Sequence, residues 1–89
     1  MTLKEIQIKI QSMDAPEAIQ LLTDYIAEHP KDDEALTLRG LRYFGNGNRA
    51  AAINDYLEAL RINPDSRAKN ALKAANDILD YYNKDLYNP

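Results

Sequence analysis

Few side chains in this chain of 89 residues have the types and spacing that catalysis requires. His29 is the single histidine, and the absence of cysteine excludes disulfides and thiol chemistry. Work as a general base would require a pocket and an orienting partner for the ring of His29. Because His29 directly precedes Pro30 at the end of a predicted helix, we expect its imidazole to favour the negative end of the helix dipole instead.

Two other segments have compositions that occur in ligand sites. Residues 32–34, Asp-Asp-Glu, form an acidic run that could bind a cation, although capping the following helix is the better use of such residues. Residues 45–47, Gly-Asn-Gly, lie between two predicted helices, and no Lys-Ser or Lys-Thr pair follows them as in a phosphate-binding loop. We therefore expect no catalytic, metal or cofactor site, and the protein is not expected to be an enzyme.

Composition and charge narrow the remaining functions. The chain is 45% hydrophobic and 28% charged, which fits one small globular domain with a modest core. Its net charge of −3 and its scattered Lys and Arg residues argue against a nucleic-acid partner, which needs a clustered basic face. No stretch approaches the roughly 18 apolar residues that cross a bilayer, and the first residues lack an apolar signal core. We therefore expect no membrane partner and a cytoplasmic location.

The elements that position any functional side chain follow from an internal repeat. Several residues recur 34 positions later, including Ala18 as Ala52, Ile19 as Ile53, Pro30 as Pro64 and Leu38 as Leu72. A fixed offset of this size is typical of a solenoid whose units are helical hairpins, each unable to bury its apolar face alone. Such proteins bind other molecules on an extended surface, so the repeat favours a binding function.

Gly, Pro and capping residues divide the chain into five predicted helices. The first helix is predicted at about residues 2–12, and the second at about 15–28, with Asp14 as its cap. The third is capped by Asp32 or Asp33 and ends at about residue 45, and the fourth is capped by Asn48 and ends at about 62. The fifth is capped by Asp65 or Ser66 and ends at about Asn83. The first segment also alternates as a strand would, at Ile6, Ile8 and Ile10, but the repeat offset favours a helix there.

Residues 33–66 resemble the tetratricopeptide repeat (TPR) family over one full unit. The matching positions are Leu36, Gly40, Tyr43, Ala52, Tyr56, Ala59 and Pro64. In such a unit, Gly40 and Ala52 let the paired helices approach closely, and the tyrosines fill the gaps between turns. Arg39 stands where the family usually has Leu. One departure among so many matches does not put the fold in doubt.

The rest of the chain is similar to the ends of a TPR array, and residues 81–88 resemble the tail of small bacterial TPR proteins. Residues 1–32 resemble a degenerate first repeat, residues 67–83 the capping helix that ends many such arrays, and residues 84–89 a short tail. The resemblance implies an all-α fold, a right-handed α-solenoid of about two TPR-like hairpins plus a C-terminal capping helix. All 89 residues then form a single TPR domain.

The same resemblance implies a non-catalytic module that binds a peptide or helix of a partner protein on a concave face. By the repeat register this face comprises Leu3, Gln7, Ile10, Glu34, Thr37, Leu41, Phe44, Ala75 and Ile78. Lys, Arg and Asn, with which some family members grip an anionic C-terminus, are missing from the corresponding positions of the third and fifth helices. An alternative is that the fifth helix closes over the third, so that these residues are core.

Self-association is the alternative function. The chain end is unusually apolar, with Tyr81, Tyr82, Leu86 and Tyr87 close together. We expect Leu86 and Tyr87 to fold back onto the fourth or fifth helix or into the concave face; in the alternative, only Tyr82 packs. The concave face and this aromatic tail could also form the interface of a homo-oligomer. A monomer is expected in preference to a homodimer, and the sequence does not identify the partner.

Overall fold

The computed structural model describes the backbone of residues 1–87 and the side chains of residues 1–77. Over that backbone the chain forms five α-helices and no strand, which confirms the all-α prediction. Their bounds are α1 Leu3–Ile10, α2 Ala15–Glu28, α3 Asp33–Gly45, α4 Arg49–Ile62 and α5 Ala68–Tyr87. The first segment is therefore a helix rather than a strand, although it is shorter than predicted at both ends.

Helix starts are fixed by side chains that accept hydrogen bonds from otherwise unpaired backbone N–H groups. Asp14, Asp32 and Asn48 each accept from the backbone N–H three residues later, over 3.0, 3.2 and 3.2 Å respectively. These residues were the predicted caps of α2, α3 and α4, with Asp32 rather than Asp33 acting on α3. Thr2 and Glu5 add a reciprocal capping box at the start of α1.

The fifth helix continues to Tyr87, four residues beyond the predicted end at Asn83. Residues 84–87 contain neither Gly nor Pro, and Pro89 is the first residue that cannot continue a helix interior. The segment predicted as a tail is therefore helical as far as Tyr87. The side-chain packing predicted for Leu86 and Tyr87 lies outside the described residues.

Consecutive helices pack as neighbours along the chain, and α5 returns to contact α3 as well as α4. The core forms two clusters. The larger one joins α3, α4 and α5 through the buried residues Leu36, Ala52, Tyr56, Ala59, Ala68 and Ala75. The smaller one joins α1 and α2 through Ile6, Ile10, Ala18 and Leu22. Leu38 of α3 also packs against the smaller cluster and Ile26 of α2 against the larger one, so the two clusters meet where α2 packs on α3.

Gly40 lies at the closest approach of α3 and α4. A Cβ atom at this position would lie 2.5 Å from Cε1 and 2.8 Å from Cδ1 of Tyr56, and 3.3 Å from the carbonyl oxygen of Ala52. Ring atoms at 2.5 Å are far inside the 3.5–4.0 Å of a favourable carbon contact. The crossing of α3 and α4 therefore depends on a residue without a side chain at position 40.

Candidate interaction face

The predicted concave face lies on α1, α3 and α5, and the structure divides its residues by exposure. Ile10, Thr37 and Ala75 are buried, with 4%, 5% and 2% of their surface exposed. Leu41 is half exposed, at 50%. The side chain of Ile78 lies outside the described residues. The remaining positions, Leu3, Gln7, Glu34 and Phe44, are intermediate.

The first half of α3 is covered by the start of α5. Thr37 donates its hydroxyl proton to the carbonyl oxygen of Asp33 at 2.8 Å, and its oxygen lies 3.4 Å from the hydroxyl oxygen of Ser66. Ser66 is therefore the donor between the two hydroxyls, while its own oxygen accepts from the N–H of Ala68 at 3.2 Å. A single buried network thus gives the first N–H group of α5 an acceptor and links the start of that helix to α3.

The second half of α3 is more open. Leu41 is exposed, and Phe44, one turn further on the same side of the helix, is partly buried against the larger core cluster. The guanidinium carbon of Arg49 lies 5.7 Å from the centre of the Phe44 ring, within the range of a cation–π contact. Among the side chains of this face that the structure describes, Leu41 is therefore the apolar one most available to a partner.

A polar rim borders the face at the start of α3. Arg67 donates two hydrogen bonds to the carboxylate of Glu34, at 3.1 and 2.7 Å. These hydrogen bonds raise the pKa of the Arg67 guanidinium above its ordinary value. The pair is solvent exposed and contributes little to stability, but it places a charged, paired edge beside the buried Thr37.

Arg39 forms an interaction that the sequence comparison with the TPR pattern did not reveal. Its guanidinium donates two hydrogen bonds of 2.8 Å to the carboxylate of Asp55 and one of 3.2 Å to the hydroxyl of Thr23. The side chains of Arg39 and Asp55 are only 18% and 8% exposed. Hydrogen bonding to Asp55 raises the pKa of Arg39. The residue that departs from the family pattern therefore joins α2, α3 and α4.

The sequence also did not identify the role of Arg42, which connects α3 to α1. Its guanidinium donates to the carbonyl oxygen of Ile10 at 2.8 Å and to that of Met13 at 3.3 Å. Carbonyl groups after the last turn of a helix have no partner within the helix, and the dipole there attracts a cation. Arg42 therefore fixes the end of α1 against α3. No local sequence pattern indicates a contact between residues so far apart.

The residues considered for chemistry have structural partners. His29 is the C-terminal cap of α2, and its ring stacks on that of Tyr25 with centroids 4.4 Å apart. Tyr25 donates its hydroxyl proton to Asp32 at 2.8 Å, and this hydrogen bond raises the pKa of Tyr25. In the part of the chain that the structure describes, no three His, Asp or Glu side chains come together as metal ligands. Gly45 is the last residue of α3, and Asn46 and Gly47 form the turn before α4.

Successive helices pack as neighbours, with a glycine at the α3–α4 crossing, in an all-α arrangement like that which the TPR resemblance implies. No protein-family model matches the chain. The Bacteroides fragilis protein BF1650, known from a solution NMR structure, is 41% identical to it with a TM-score of 0.80. The similarity covers 98% of this chain and 89% of that one. The chain therefore belongs to the same family as BF1650.

A second relative is a much longer protein. The DnaJ homolog subfamily C member 7 homolog of Schizosaccharomyces pombe is 34% identical over 73 residues, or 81% of this chain. The chain spans only 15% of that relative's length, so the similarity is to one segment of it. Among the residues that the structure describes, no helix combines the length and hydropathy needed to cross a membrane.

Proposed function

We propose that the protein is a non-catalytic interaction module that binds a peptide or helix of a partner protein on the face formed by α1, α3 and α5. The observation that supports this function is Leu41, which exposes 50% of its surface on the side of α3 where Thr37, one turn earlier, is buried. The resemblance of residues 33–66 to the TPR family and the similarity to a segment of the DnaJ homologue support an interaction role of this kind.

The proposed contact area is smaller than the sequence alone suggested. Ile10, Thr37 and Ala75 are buried and contribute to the core rather than to an open surface. The partner would contact Leu41 and the accessible part of Phe44, with Glu34 and its bound Arg67 at the edge. An apolar centre with a polar rim is the usual arrangement of a protein interface. A helical partner would place apolar residues three or four apart on this face.

Leu41→Glu tests the proposal. Because Leu41 is half exposed, we expect the variant to fold and to lose the partner, since a charge would be buried at the centre of the interface. Leu57→Glu is the matched control, because Leu57 is 51% exposed on α4, outside the proposed face. Both variants and the wild type are used as baits in the native cell extract. Affinity for each captured protein is then measured by calorimetry.

Loss of a captured partner with Leu41→Glu alone, with retention by Leu57→Glu, is the expected result. Capture that is unaffected by Leu41→Glu would contradict the assignment of the face. Sedimentation equilibrium of the same three proteins tests the alternative, self-association. A wild-type dimer that Leu41→Glu dissociates would show that the occupant of the face is a second copy of the chain.

A further inference from the structure

The open end of the α1–α2 hairpin contains a cleft that lies apart from the face proposed above. It is a solvent-accessible cavity of about 160 Å³. An apolar cavity of about 150 Å³ is large enough to admit benzene, so the cleft can accept one side chain. Its lining residues are Met1, Ile6, Leu21, Asp24, Tyr25 and Glu28.

One part of the wall of this cleft is apolar and held in place by packing. Ile6 is 1% exposed and belongs to the smaller core cluster, against which Leu21 and Tyr25 also pack. The ring of Tyr25 is held by its stack on His29 at 4.4 Å and by its hydroxyl hydrogen bond to Asp32 at 2.8 Å. A wall held in one position loses little conformational freedom when a ligand binds.

The two carboxylates of the cleft are unfavourably placed for the stability of α2. Asp24 and Glu28 lie one turn apart, where like charges repel, and they stand near the negative end of the helix dipole. The last turn of α2 contains no basic residue. Within residues 1–77, neither carboxylate forms a salt bridge with a Lys, an Arg or the N-terminal amine. The contact that Asp24 does make is with the side-chain amide of Gln20, at 2.9 Å.

We propose that this cleft binds a lysine side chain of a partner protein. The alkyl stem of the lysine would lie against Ile6 and Leu21, and its ammonium group would reach the carboxylates of Asp24 and Glu28. A lysine has the two properties that the cleft requires, a long apolar stem and a compact charge with three donors. Carboxylates on successive turns suit such a point charge better than a planar guanidinium, which pairs best with one carboxylate.

An NMR titration with Nα-acetyl-lysine methylamide tests the binding of a single lysine. Saturable shifts are expected at the side chains of Ile6 and Leu21, with a dissociation constant of about 1–10 mM for so small a ligand. Nα-acetyl-norleucine methylamide has a similar apolar stem without the ammonium group, and it should bind at least about tenfold more weakly. Equal binding of the two ligands, or no saturable shift with either, would overturn the proposal.

Charge-neutral variants give the second arm of the test. Asp24→Asn with Glu28→Gln should reduce binding of the lysine derivative to the level of the norleucine derivative. The control, Glu17→Gln with Asp65→Asn, removes the same number of negative charges at exposed positions elsewhere and should bind the lysine derivative normally. Equal losses in the two double variants would show a general charge effect and refute the site.

Two further titrations distinguish a lysine site from a diamine site and from the face that contains Leu41. Putrescine should bind more weakly than the lysine derivative; equal or tighter binding would assign the cleft to a free diamine instead of a protein. Leu41→Glu should bind the lysine derivative as the wild type does, because Leu41 is not part of the cleft. A loss of binding in that variant would contradict a separate site. The outcome of the lysine titration therefore does not depend on whether the face formed by α1, α3 and α5 binds a partner.

Discussion

Replacement of Gly40 by alanine tests whether the close crossing of α3 and α4 determines the stability of the domain. The new Cβ atom would lie 2.5 Å from a ring carbon of Tyr56, so the ring must move by about 1 Å to restore a normal contact. Tyr56 is only 1% exposed, and the carbonyl oxygen of Ala52, 3.3 Å from the new atom, limits any compensating shift of the Cβ itself. The ring therefore has little room to move.

The magnitude follows from two opposing effects. Overpacking a core costs about 1–3 kcal/mol, and the buried ring places Gly40→Ala in the upper part of that range. Alanine in place of glycine within a helix contributes about 1 kcal/mol in the opposite direction. We expect the free energy of unfolding to fall by about 1–2 kcal/mol. For a domain of this size, each kcal/mol lowers the melting temperature by about 4–8 °C.

Gly45→Ala is the matched control, because an added Cβ there meets no atom within 4 Å. Its melting temperature should equal or slightly exceed that of the wild type. Both variants are measured by thermal and urea unfolding, alone and in a Tyr56→Leu background. In that background Gly40→Ala should cost less, because the obstructing ring is absent. Equal effects of the two glycine substitutions, or no coupling to position 56, would refute the reasoning.

Two other predictions concern the interior of the α3–α4 pair. Arg39→Leu restores the usual TPR residue but leaves the carboxylate of Asp55 buried without its partner, so urea unfolding should show a loss of about 3 kcal/mol or more. Adding Asp55→Ala should recover much of that loss, and simple additivity of the two substitutions would contradict this mechanism. Burial, and then the charge of Asp55, raises the pKa of Tyr56 above its usual value. The stability that the neutral Tyr56 side chain contributes to the folded state is complete below about pH 10, and it is lost as the pH rises from there to the folded-state pKa of Tyr56. Unfolding free energy should therefore fall less steeply above pH 10 in Tyr56→Phe than in the wild type; parallel curves would exclude the effect.

The sequence predicted those features of the fold that depend on local interactions. Asp14 and Asn48 were identifiable as caps, and Asp32 as one of two candidates with Asp33, because a capping side chain bonds to a backbone group only three residues away. The end of α5 was predicted too early, at Asn83. No Gly or Pro lies between Asn83 and Tyr87, so the helix continues, and an apolar pattern alone does not define where a helix stops.

The candidate site was less predictable because exposure depends on distant elements. The repeat register places Thr37 and Leu41 on one side of α3, but it does not show which of them α5 covers. In the structure Thr37 is 5% exposed beneath Ser66, whereas Leu41 is 50% exposed. The sequence showed Arg39 only as a departure from a pattern. Its partner, Asp55, lies 16 residues away, and nothing in the spacing of the two residues identifies them as a pair.

The buried pair of Arg39 and Asp55 also constrains how this sequence can diverge. A change of either residue alone leaves an uncompensated charge between α3 and α4, whereas replacement of both by apolar residues can preserve stability. The residues at positions 39 and 55 are therefore expected to change together in evolution. Relatives that carry leucine at the position of Arg39 should also lack the acid at the position of Asp55, and the path between the two states passes through a less stable intermediate sequence.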